Sequence, residues 1–455
     1  TMAAPGRKHP SMRRREPCVF ASFRTVNASS TGGADRLSRA IAYATGSAPN
    51  VSPPTNSGCH PADRMASRPS TPTNSSPRAD IVLRDQIVPL DPDGPLTQFH
   101  VDAASDGDGL WLAYNTPRPD GKFQVVAARL GCDGIHTVAP QTLSPDDGAN
   151  HGDPTVAVTG DRVLVAWHRD DGQFPHNLST WVAVVDGEGS MVAPAAAVAL
   201  THGGGPFEGN AWMPDAAALP GGFALAGAFG NEDTGVFLAY LQRLTPDGAP
   251  DGDTITLADG PLSQLDPRVA ADADGALRVA WTEGTDPTEE VRYVPLTPGG
   301  TQPAAASRLL QNASPSRGPA LAWGVDEFII AGSSGSSSGP TAIELQTAPQ
   351  DMELAITISA GSGSDLEHSP VLAAGPGGPA VAWYRHVSGL DNELRVGHVL
   401  GGAGGLAFVG ERSAGTDIPP YAPALTHVAD DVWFVAWSEG DSPDFVLQGW
   451  FFELE

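Results

Sequence analysis

The side chains best suited to chemistry form two groups along this chain. The larger group combines imidazoles, carboxylates, one guanidinium and one indole: His151, Asp153, His168, Arg169, His176, Glu208 and Trp212. Imidazoles and carboxylates exchange protons and hydrogen-bond polar ligands. The indole of Trp212, in a glycine-rich stretch, could form a flat surface for a sugar ring or an apolar side chain. Packing of Trp212 onto the protein itself is the competing interpretation.

A second, smaller group lies later in the chain. It consists of His368, Tyr384, Arg385 and His386, with Glu367 beside them. The alternative interpretation of both groups is a set of ordinary solvated loop residues. We nevertheless expect both groups to bind a ligand, because binding residues concentrate on loops held by a rigid scaffold. The same expectation covers two isolated residues, Asp266 and Tyr421.

Catalysis on a polysaccharide would need two carboxylates, or a His or Tyr base together with an Arg. Asp153, Glu208, Asp266 and Glu283 have suitable side chains, but acidic residues are abundant throughout the chain. We therefore predict no catalytic residue from the sequence.

Other motifs carry no recognisable chemistry. Residues 335–339 match the Gly-x-Ser-x-Gly pattern, but no helix follows them, as the elbow of serine hydrolases requires. Residues 401–405 are glycine-rich and also lack a helix that could hold a phosphate. Cys18, Cys59 and Cys132 form no metal-binding or disulfide pattern. We expect neither a metal nor a cofactor.

A repeat that occurs seven times carries these residues. Each copy joins a short apolar segment to an apolar strand that ends in an aromatic slot. In chain order the slot contains Tyr114, Trp167, Phe229, Trp281, Gly332, Trp383 and Trp437. Spacings of roughly 50 residues are typical of β-propellers and solenoids. The large slot residues are expected to pack between neighbouring blades. The longest spacing, between Trp167 and Phe229, suggests a functional loop there.

The repeat predicts an all-β fold, a seven-bladed β-propeller with four antiparallel strands per blade, labelled a to d from the axis outward. Strand a is expected to open at Val101 in the first blade and at a proline in the others: Pro154, Pro214, Pro267, Pro319, Pro370 and Pro423. The b–c and d–a loops then share one face, around the mouth of the central channel. This arrangement would gather the candidate residues at that mouth.

The two ends of the repeat array predict how the ring closes. The last repeat supplies only strands a to c, within residues 424–453. Near the other end, the segment Pro-Leu-Thr-Gln-Phe at 95–99 matches Pro-Leu-Ser-Gln-Leu at 261–265, which places a d-like strand before it. We predict that residues 81–90 complete the last blade and remove the exposed edges.

Charge divides the chain near residue 80. Residues 1–80 carry eleven Lys and Arg against four Asp and Glu, are rich in Ser, Thr and Pro, and are predicted to be a disordered tail. The whole chain has a formal charge of −27, so its acid excess lies in the predicted propeller, residues 81–455. Such a surface repels phosphate backbones, which argues against nucleic-acid binding by the propeller.

Targeting signals are weak. No stretch is long and apolar enough to span a bilayer. Residues 13–15 are three arginines, but the segment after them is too short and polar for a secretory signal. Location is therefore open, with an intracellular site as the default and export as the alternative.

The repeat motifs resemble those of a known group of proteins. Residues 154–158 are followed along the chain by Val-Ala-Trp at 165–167, and residues 370–373 are followed by Val-Ala-Trp at 381–383. Across 81–455 the chain thus resembles divergent bacterial seven-bladed β-propellers with Pro-x-x-Ala and Val-Ala-Trp repeats. The resemblance implies the architecture; propellers of this kind include sugar-binding, protein-binding and enzymatic members.

Two functions remain in competition. The leading hypothesis is a non-enzymatic, monomeric recognition propeller that binds a carbohydrate or a protein segment on the b–c and d–a loop face. It depends on a complete ring scaffold that lacks a catalytic motif. The alternative is a polysaccharide hydrolase or lyase that acts at the channel mouth.

Overall fold

The computed structural model describes residues 81–454, apart from short gaps. The gaps are 92–93, 96, 132, 173–176, 208, 232–235, 258–259, 285–287, 298–306, 309–315, 325–326, 336–340, 349–355, 361–365, 376, 387–391, 401–406, 415–421, 430–431 and 441–443. The predicted tail at 1–80 lies outside the described residues.

The first strands of the chain form a closing strand and the first three blades. The closing strand is β1 (Ile81–Pro89). Blade 1 contains β2 (Phe99–Ser105), β3 (Leu110–Pro117), β4 (Phe123–Leu130) and β5 (His136–Thr142). Blade 2 contains β6 (Asn150–Thr159), β7 (Arg162–Asp170), β8 (Leu178–Asp186) and β9 (Met191–Ala197). A small hairpin follows, with β10 (Thr201–His202) and β11 (Gly205–Pro206). Blade 3 contains β12 (Asn210–Leu219), β13 (Gly222–Asn231), β14 (Val236–Leu244) and β15 (Ile255–Thr256).

The remaining strands form four more blades. Blade 4 contains β16 (Gln264–Ala271), β17 (Leu277–Glu283), β18 (Glu290–Leu296) and β19 (Ser307–Arg308). Blade 5 contains β20 (Ser316–Trp323), β21 (Phe328–Ser334), β22 (Ala342–Ala348) and β23 (Ile356–Ala360). Blade 6 contains β24 (Leu366–Ala373), β25 (Ala380–His386), β26 (Asn392–Leu400) and β27 (Ala407–Ala414). Blade 7 contains β28 (Ala424–Ala429), β29 (Val432–Glu439), β30 (Val446–Leu454) and β1.

The seven antiparallel sheets form a β-propeller, as the repeat predicted. The first strand of each blade contacts the first strand of the next, and β28 contacts β2, so these seven strands surround the axis. Ring closure is also confirmed, because β1 pairs antiparallel with β30, from Ile81 opposite Leu454 to Pro89 opposite Gln448. The last blade is thus built from both ends of the array, and β1 pairs with the edge of β30 that would otherwise be open.

The core lies between the blades. Seven apolar clusters each join two neighbouring blades around the ring. Trp167, Trp281, Trp383 and Trp437 are completely buried in these clusters, which confirms their predicted packing role. Truncating one of these indoles to alanine should cost about 3–5 kcal/mol.

The slot assignment in blade 3 was wrong by two residues. Asp215 lies opposite Ala226, as Thr155 lies opposite Ala166 in blade 2, so the position equivalent to Trp167 is Gly227. The ring of Tyr240, on the adjacent strand, covers Gly227, where a Cβ would meet its hydroxyl at 2.4 Å. Tyrosine from strand c therefore replaces the aromatic residue of strand b in this blade.

In five blades the proline does not open the innermost strand, contrary to the sequence prediction, whereas in blade 7 Pro423 lies directly before β28. Strand β6 begins at Asn150 and strand β24 at Leu366, so Pro154 and Pro370 lie inside the strands. The pairing register shifts at this point in six blades, which defines a bulge that we call the inner-strand bulge. A bulge accommodates proline because its extra residue leaves the hydrogen-bond ladder.

The extra length between blades 2 and 3 has a packing role. The β10–β11 hairpin lies against the outer strand of blade 3, where Thr201 and Thr254 exchange backbone-to-hydroxyl hydrogen bonds of 2.8 and 3.0 Å. Phe207 packs on Phe229 at 4.6 Å between ring centroids. Length alone was thus a poor guide, because this insertion covers the outer part of the blade.

No helix among the described residues could span a membrane.

Candidate ligand-binding site at the channel mouth

In six blades the inner-strand bulge presents one residue at an equivalent position. This residue has a positive φ near 50° in each case: His100, Asp153, Met213, Asp266, Gly318 and Ser369. Side chains other than glycine adopt this left-handed conformation at a cost. Its repetition shows that the ring geometry imposes it. Blades 1, 2 and 4 place an ionisable side chain there.

Asp153 is the centre of the most polar cluster at this level. Its Oδ1 forms an ion pair with Nδ1 of His100 from blade 1, and its Oδ2 lies 3.2 Å from Nδ1 of His168. Desolvation alone would raise the pKa of Asp153, but the two imidazoles outweigh it and hold that pKa well below its usual range. The lowered pKa keeps this carboxylate ionised. The side chain of Asp153 is 35% exposed, so the carboxylate is also accessible.

Asp266 is a second carboxyl group of the mouth, and its pKa is shifted in the opposite direction. Burial raises its pKa, Arg268 opposes the rise, and the negative charge of Asp153 adds to it. Asp153 belongs to blade 2 and Asp266 to blade 4, with blade 3 between them in the ring. Their mutual influence therefore acts across the channel mouth.

A second layer of charge lies two residues after the bulge. Asp102 accepts hydrogen bonds from Thr155 Oγ1 at 2.9 Å and from the Val156 amide at 2.8 Å. Asp215 accepts from the Val269 amide at 2.7 Å. Each aspartate thus joins its innermost strand to that of the next blade.

Arg268 shares its charge among several carboxylates of this layer. Its guanidinium lies 3.4 Å from Asp215 Oδ1, and Asp266 and Asp102 also raise its pKa against the effect of burial. Burial raises the pKa of Asp215 to about 6, and Asp102 adds to this rise while Arg268 opposes it. One cation therefore does not neutralise the carboxylates around it.

His151, predicted as a site residue, is fully buried and supports the core. Trp167 Nε1 donates to its Nδ1 at 2.9 Å, so its proton sits on Nε2, which donates to Asp147 Oδ1 at 3.0 Å. Arg169 donates to the other oxygen of Asp147 at 2.6 Å and lies over the ring of Trp181. Both His151 and Arg169 are thus directed away from Asp153.

Trp212 lies one residue before the bulge of blade 3. It is half-buried, and its ring packs on Phe237 with centroids 5.3 Å apart. The ring is therefore partly covered by its own blade and partly accessible. His176, Glu208 and Tyr421 lie outside the described residues.

The second predicted group converges on blade 6. His368 packs on Tyr384 with ring centroids 5.9 Å apart, and Arg385 Nε lies 3.5 Å from Oε1 of the buried Glu367. Glu367 also accepts from Trp383 Nε1 at 2.6 Å. Burial lowers the pKa of His368 to about 4, and the nearby His386 adds to this effect. This group therefore presents neutral imidazole and a buried phenol.

Sequence reasoning missed His100, Asp102, Asp215 and Arg268. One signal was available in the sequence. When residues 95–99 are aligned with residues 261–265, the next residue of each segment aligns His100 with Asp266. The two segments differ at the next position, where valine follows His100 and proline follows Asp266. In the part of the chain that the structure describes, no three His, Cys, Asp or Glu side chains are grouped to hold a metal ion.

The fold and its site define a seven-bladed β-propeller with a charged channel mouth. No protein-family model and no curated protein matches the sequence. Among solved structures, a protein of unknown function from Dyadobacter fermentans is similar at a TM-score of 0.51 and 10% identity, over 82% of this chain and 99% of that one.

Two carbohydrate-active enzymes show a weaker similarity. The α-L-arabinanase of Penicillium chrysogenum, complexed with arabinobiose, has a TM-score of 0.45 and 13% identity over 83% of this chain and 98% of that one. The GH93 α-L-arabinofuranosidase of Fusarium graminearum has 0.46 and 11%, over 83% and 97%. At these identities the similarity concerns the fold alone.

Proposed function

We propose that this propeller is a recognition protein that binds a carbohydrate at the channel mouth, on the side formed by blades 1 to 4. The observation that carries the proposal is the accessible Asp153 carboxylate held between His100 and His168. Carboxylates and imidazoles are suitable partners for the hydroxyl groups of a sugar. Asp266 across the mouth supplies a further acceptor or donor.

The acidic surroundings narrow the ligand class. Asp102, Asp215 and Asp266 share the guanidinium of Arg268, so a polyanionic ligand would be repelled from this side. A neutral glycan avoids that repulsion and can use the aromatic surface of Trp212. A protein segment is the other ligand class compatible with such a mouth, and the screen below includes it.

The test is a binding screen with the full chain against neutral glycans, acidic glycans and peptides, followed by calorimetry on any hit. We expect a neutral glycan to bind, and Asp153→Ala to weaken it at least tenfold, which is about 1.4 kcal/mol. Ser369→Ala, at the equivalent bulge position of blade 6, is the matched control and should leave affinity unchanged. Binding of peptides alone, or affinity unaffected by Asp153→Ala, would refute the proposal.

A second candidate function is hydrolysis of a polysaccharide at the same mouth. The observation that favours it is the divergence of two carboxyl groups, because the pKa of Asp153 is lowered and that of Asp266 is raised. A carboxyl group of lowered pKa together with one of raised pKa is the combination that a general base and a general acid require. Release of reducing ends that Asp153→Asn and Asp266→Asn both abolish would support it; activity that survives both substitutions would exclude this assignment.

A further inference from the structure

His168 occupies a position that only a glycine opposite it allows. It lies near the end of β7, directly across from Gly152 on β6. A Cβ on Gly152 would lie 3.0 Å from Cε1 and 3.1 Å from Nε2 of the imidazole, closer than ordinary van der Waals contact. An alanine at 152 would therefore displace the ring.

One edge of the His168 ring is held by a carboxylate. Nδ1 lies 3.2 Å from Asp153 Oδ2, and Asp153 is itself held by His100 and by the bulge, where its φ is 49°. The backbone at Asp153 is constrained further by the proline that follows it. The carboxylate consequently favours the tautomer with the proton on Nδ1.

The other edge of the ring carries Nε2. Among the described residues, none forms a hydrogen bond or ion pair with Nε2 of His168, and the side chain is 18% exposed. His151 differs, because both of its ring nitrogens are used within the protein. His168 is thus oriented on one side and available on the other.

We propose that Asp153 and His168 form a proton-transfer dyad, in which Nε2 of His168 accepts a proton from a hydroxyl group of a bound carbohydrate or from a water molecule beside it. In this step the O–H bond breaks, an N–H bond forms on Nε2, and the electron pair remains on oxygen. The positive charge on the imidazole is stabilised by the Asp153 carboxylate. The dyad gives the channel mouth a general base, which goes beyond recognition and rests on the carbohydrate site proposed above.

The charges around His168 support this role. Burial lowers its pKa, but the Asp153 carboxylate outweighs burial and Asp170 adds to it, so the net pKa is raised above 6.5. His100 faces the same carboxylate from blade 1. The carboxylate therefore makes the ring a stronger base than an isolated imidazole, which is what the proposed role requires.

The experiment measures the reactivity of His168 in the full chain with diethyl pyrocarbonate, which modifies unprotonated imidazole nitrogen. The modified peptides are quantified by mass spectrometry as a function of pH. We expect His168 to react with a midpoint above 6.5, and Asp153→Asn to lower that midpoint by about one pH unit. Gly152→Ala should change the rate by displacing the ring. An unchanged midpoint in Asp153→Asn overturns the dyad.

Two further measurements keep the outcomes distinct. The NMR titration of His168 in the unsubstituted protein gives its pKa even if Asp153→Asn fails to fold, and a value at or below 6.5 refutes the dyad. The glycan found in the screen should protect His168 but not the exposed His202. If a glycan binds but leaves His168 reactive, the dyad does not contact the ligand, and the recognition proposal still stands. If no glycan binds, the recognition proposal is contradicted, and the titration of His168 still decides whether the dyad exists.

Discussion

The innermost strands of blades 1 to 4 and those of blades 5 to 7 occupy equivalent places around the channel but carry different side chains. At the bulge and two residues later, blades 1 to 4 contain a charged sector: His100, Asp102, Asp153, Thr155, Met213, Asp215, Asp266 and Arg268. The same positions in blades 5 to 7 contain an uncharged sector: Gly318, Ala320, Ser369, Val371 and Ala424.

The difference shows where function enters a repeat protein. The bulge and the left-handed residue occur in blades 5 and 6 as well as in blades 1 to 4, so the backbone alone creates no site. Charged side chains at the equivalent positions create the site, because the ring brings residues of non-neighbouring blades close enough to interact electrostatically. Asp102 of blade 1 and Arg268 of blade 4 shift each other's pKa although two blades separate them.

The largest contrast between the sectors should appear in ligand affinity. Replacing Asp153 by alanine removes the carboxylate that holds His100 and His168, and we expect up to a hundredfold loss of glycan affinity, about 2.7 kcal/mol. Ser369→Ala in the uncharged sector should change affinity less than twofold. Calorimetric titration of both variants measures this, and equal losses would show that the two sectors contribute alike.

The pH dependence of stability is the next contrast. Burial raises the pKa of Asp215 to about 6 from 3.8, so the folded chain binds more protons than the unfolded one between these values. The stability from this group is fully present below pH 3.8 and is lost as the pH rises through 6. The Asp215→Asn variant has no titrating group at this position. Between pH 4 and pH 7 its free energy of unfolding should therefore rise by about 2 kcal/mol relative to that of the unsubstituted protein.

Urea unfolding at each pH measures this change. Asparagine keeps an oxygen for the Val269 amide, which separates titration from hydrogen bonding. Asp147→Asn is the control of opposite sign, because Arg169, the Ala149 amide and His151 outweigh desolvation and hold the pKa of Asp147 at about 2. That carboxylate contributes stability above pH 3.8 that is lost as the pH falls through 2. Parallel curves for Asp215→Asn and the unsubstituted protein would contradict the assignment.

A smaller effect concerns the connection between blades 1 and 2. Asp102→Ala leaves Thr155 Oγ1 and the Val156 amide without their acceptor, and we expect a loss of about 1–2 kcal/mol in the free energy of unfolding. Asp102→Asn retains one acceptor oxygen and should lose less. Denaturant unfolding at constant pH distinguishes them, and an alanine variant as stable as the asparagine variant would show that this hydrogen bond is unimportant.

The smallest effect comes from adding charge to the uncharged sector. Asp tolerates the left-handed conformation better than most residues, so Ser369→Asp should fold normally at a φ of 53°. The new carboxylate lies next to His368, whose pKa is lowered to about 4 by burial and by His386. We expect that pKa to rise by about one unit. NMR titration of His368 measures it; no rise would mean that the new carboxylate is fully solvated.

Much of the fold was predictable because the repeat is a local pattern. Apolar alternation, turn residues and buried tryptophans such as Trp383 recur in each copy, and they indicate four strands per blade without reference to other blades. The d-like segment before the first repeat also predicted the pairing of β1 with β30. The blade 3 slot was misplaced because Tyr240, on a different strand, fills the space above Gly227.

The candidate site was only partly predictable. Asp153, His168 and Asp266, which the structure places at the channel mouth, follow or precede recognisable motifs in the sequence. His151 was included on composition, but its partner Trp167 lies sixteen residues away and turns it into a packing residue. Loop length pointed to the β10–β11 hairpin, whose contacts proved to be with the outer part of blade 3.

The amino-acid sequence by itself determined the number of blades, their strand order and the closure of the ring, because these depend on periodic hydrophobicity and local turn chemistry. Only the tertiary structure decided which polar side chains meet. The bulge shifts the register of the innermost strand in six blades, and the curvature of the ring brings His100, Asp153 and Asp266 from three blades to one mouth. Such contacts join residues far apart in the chain, and no local pattern records them.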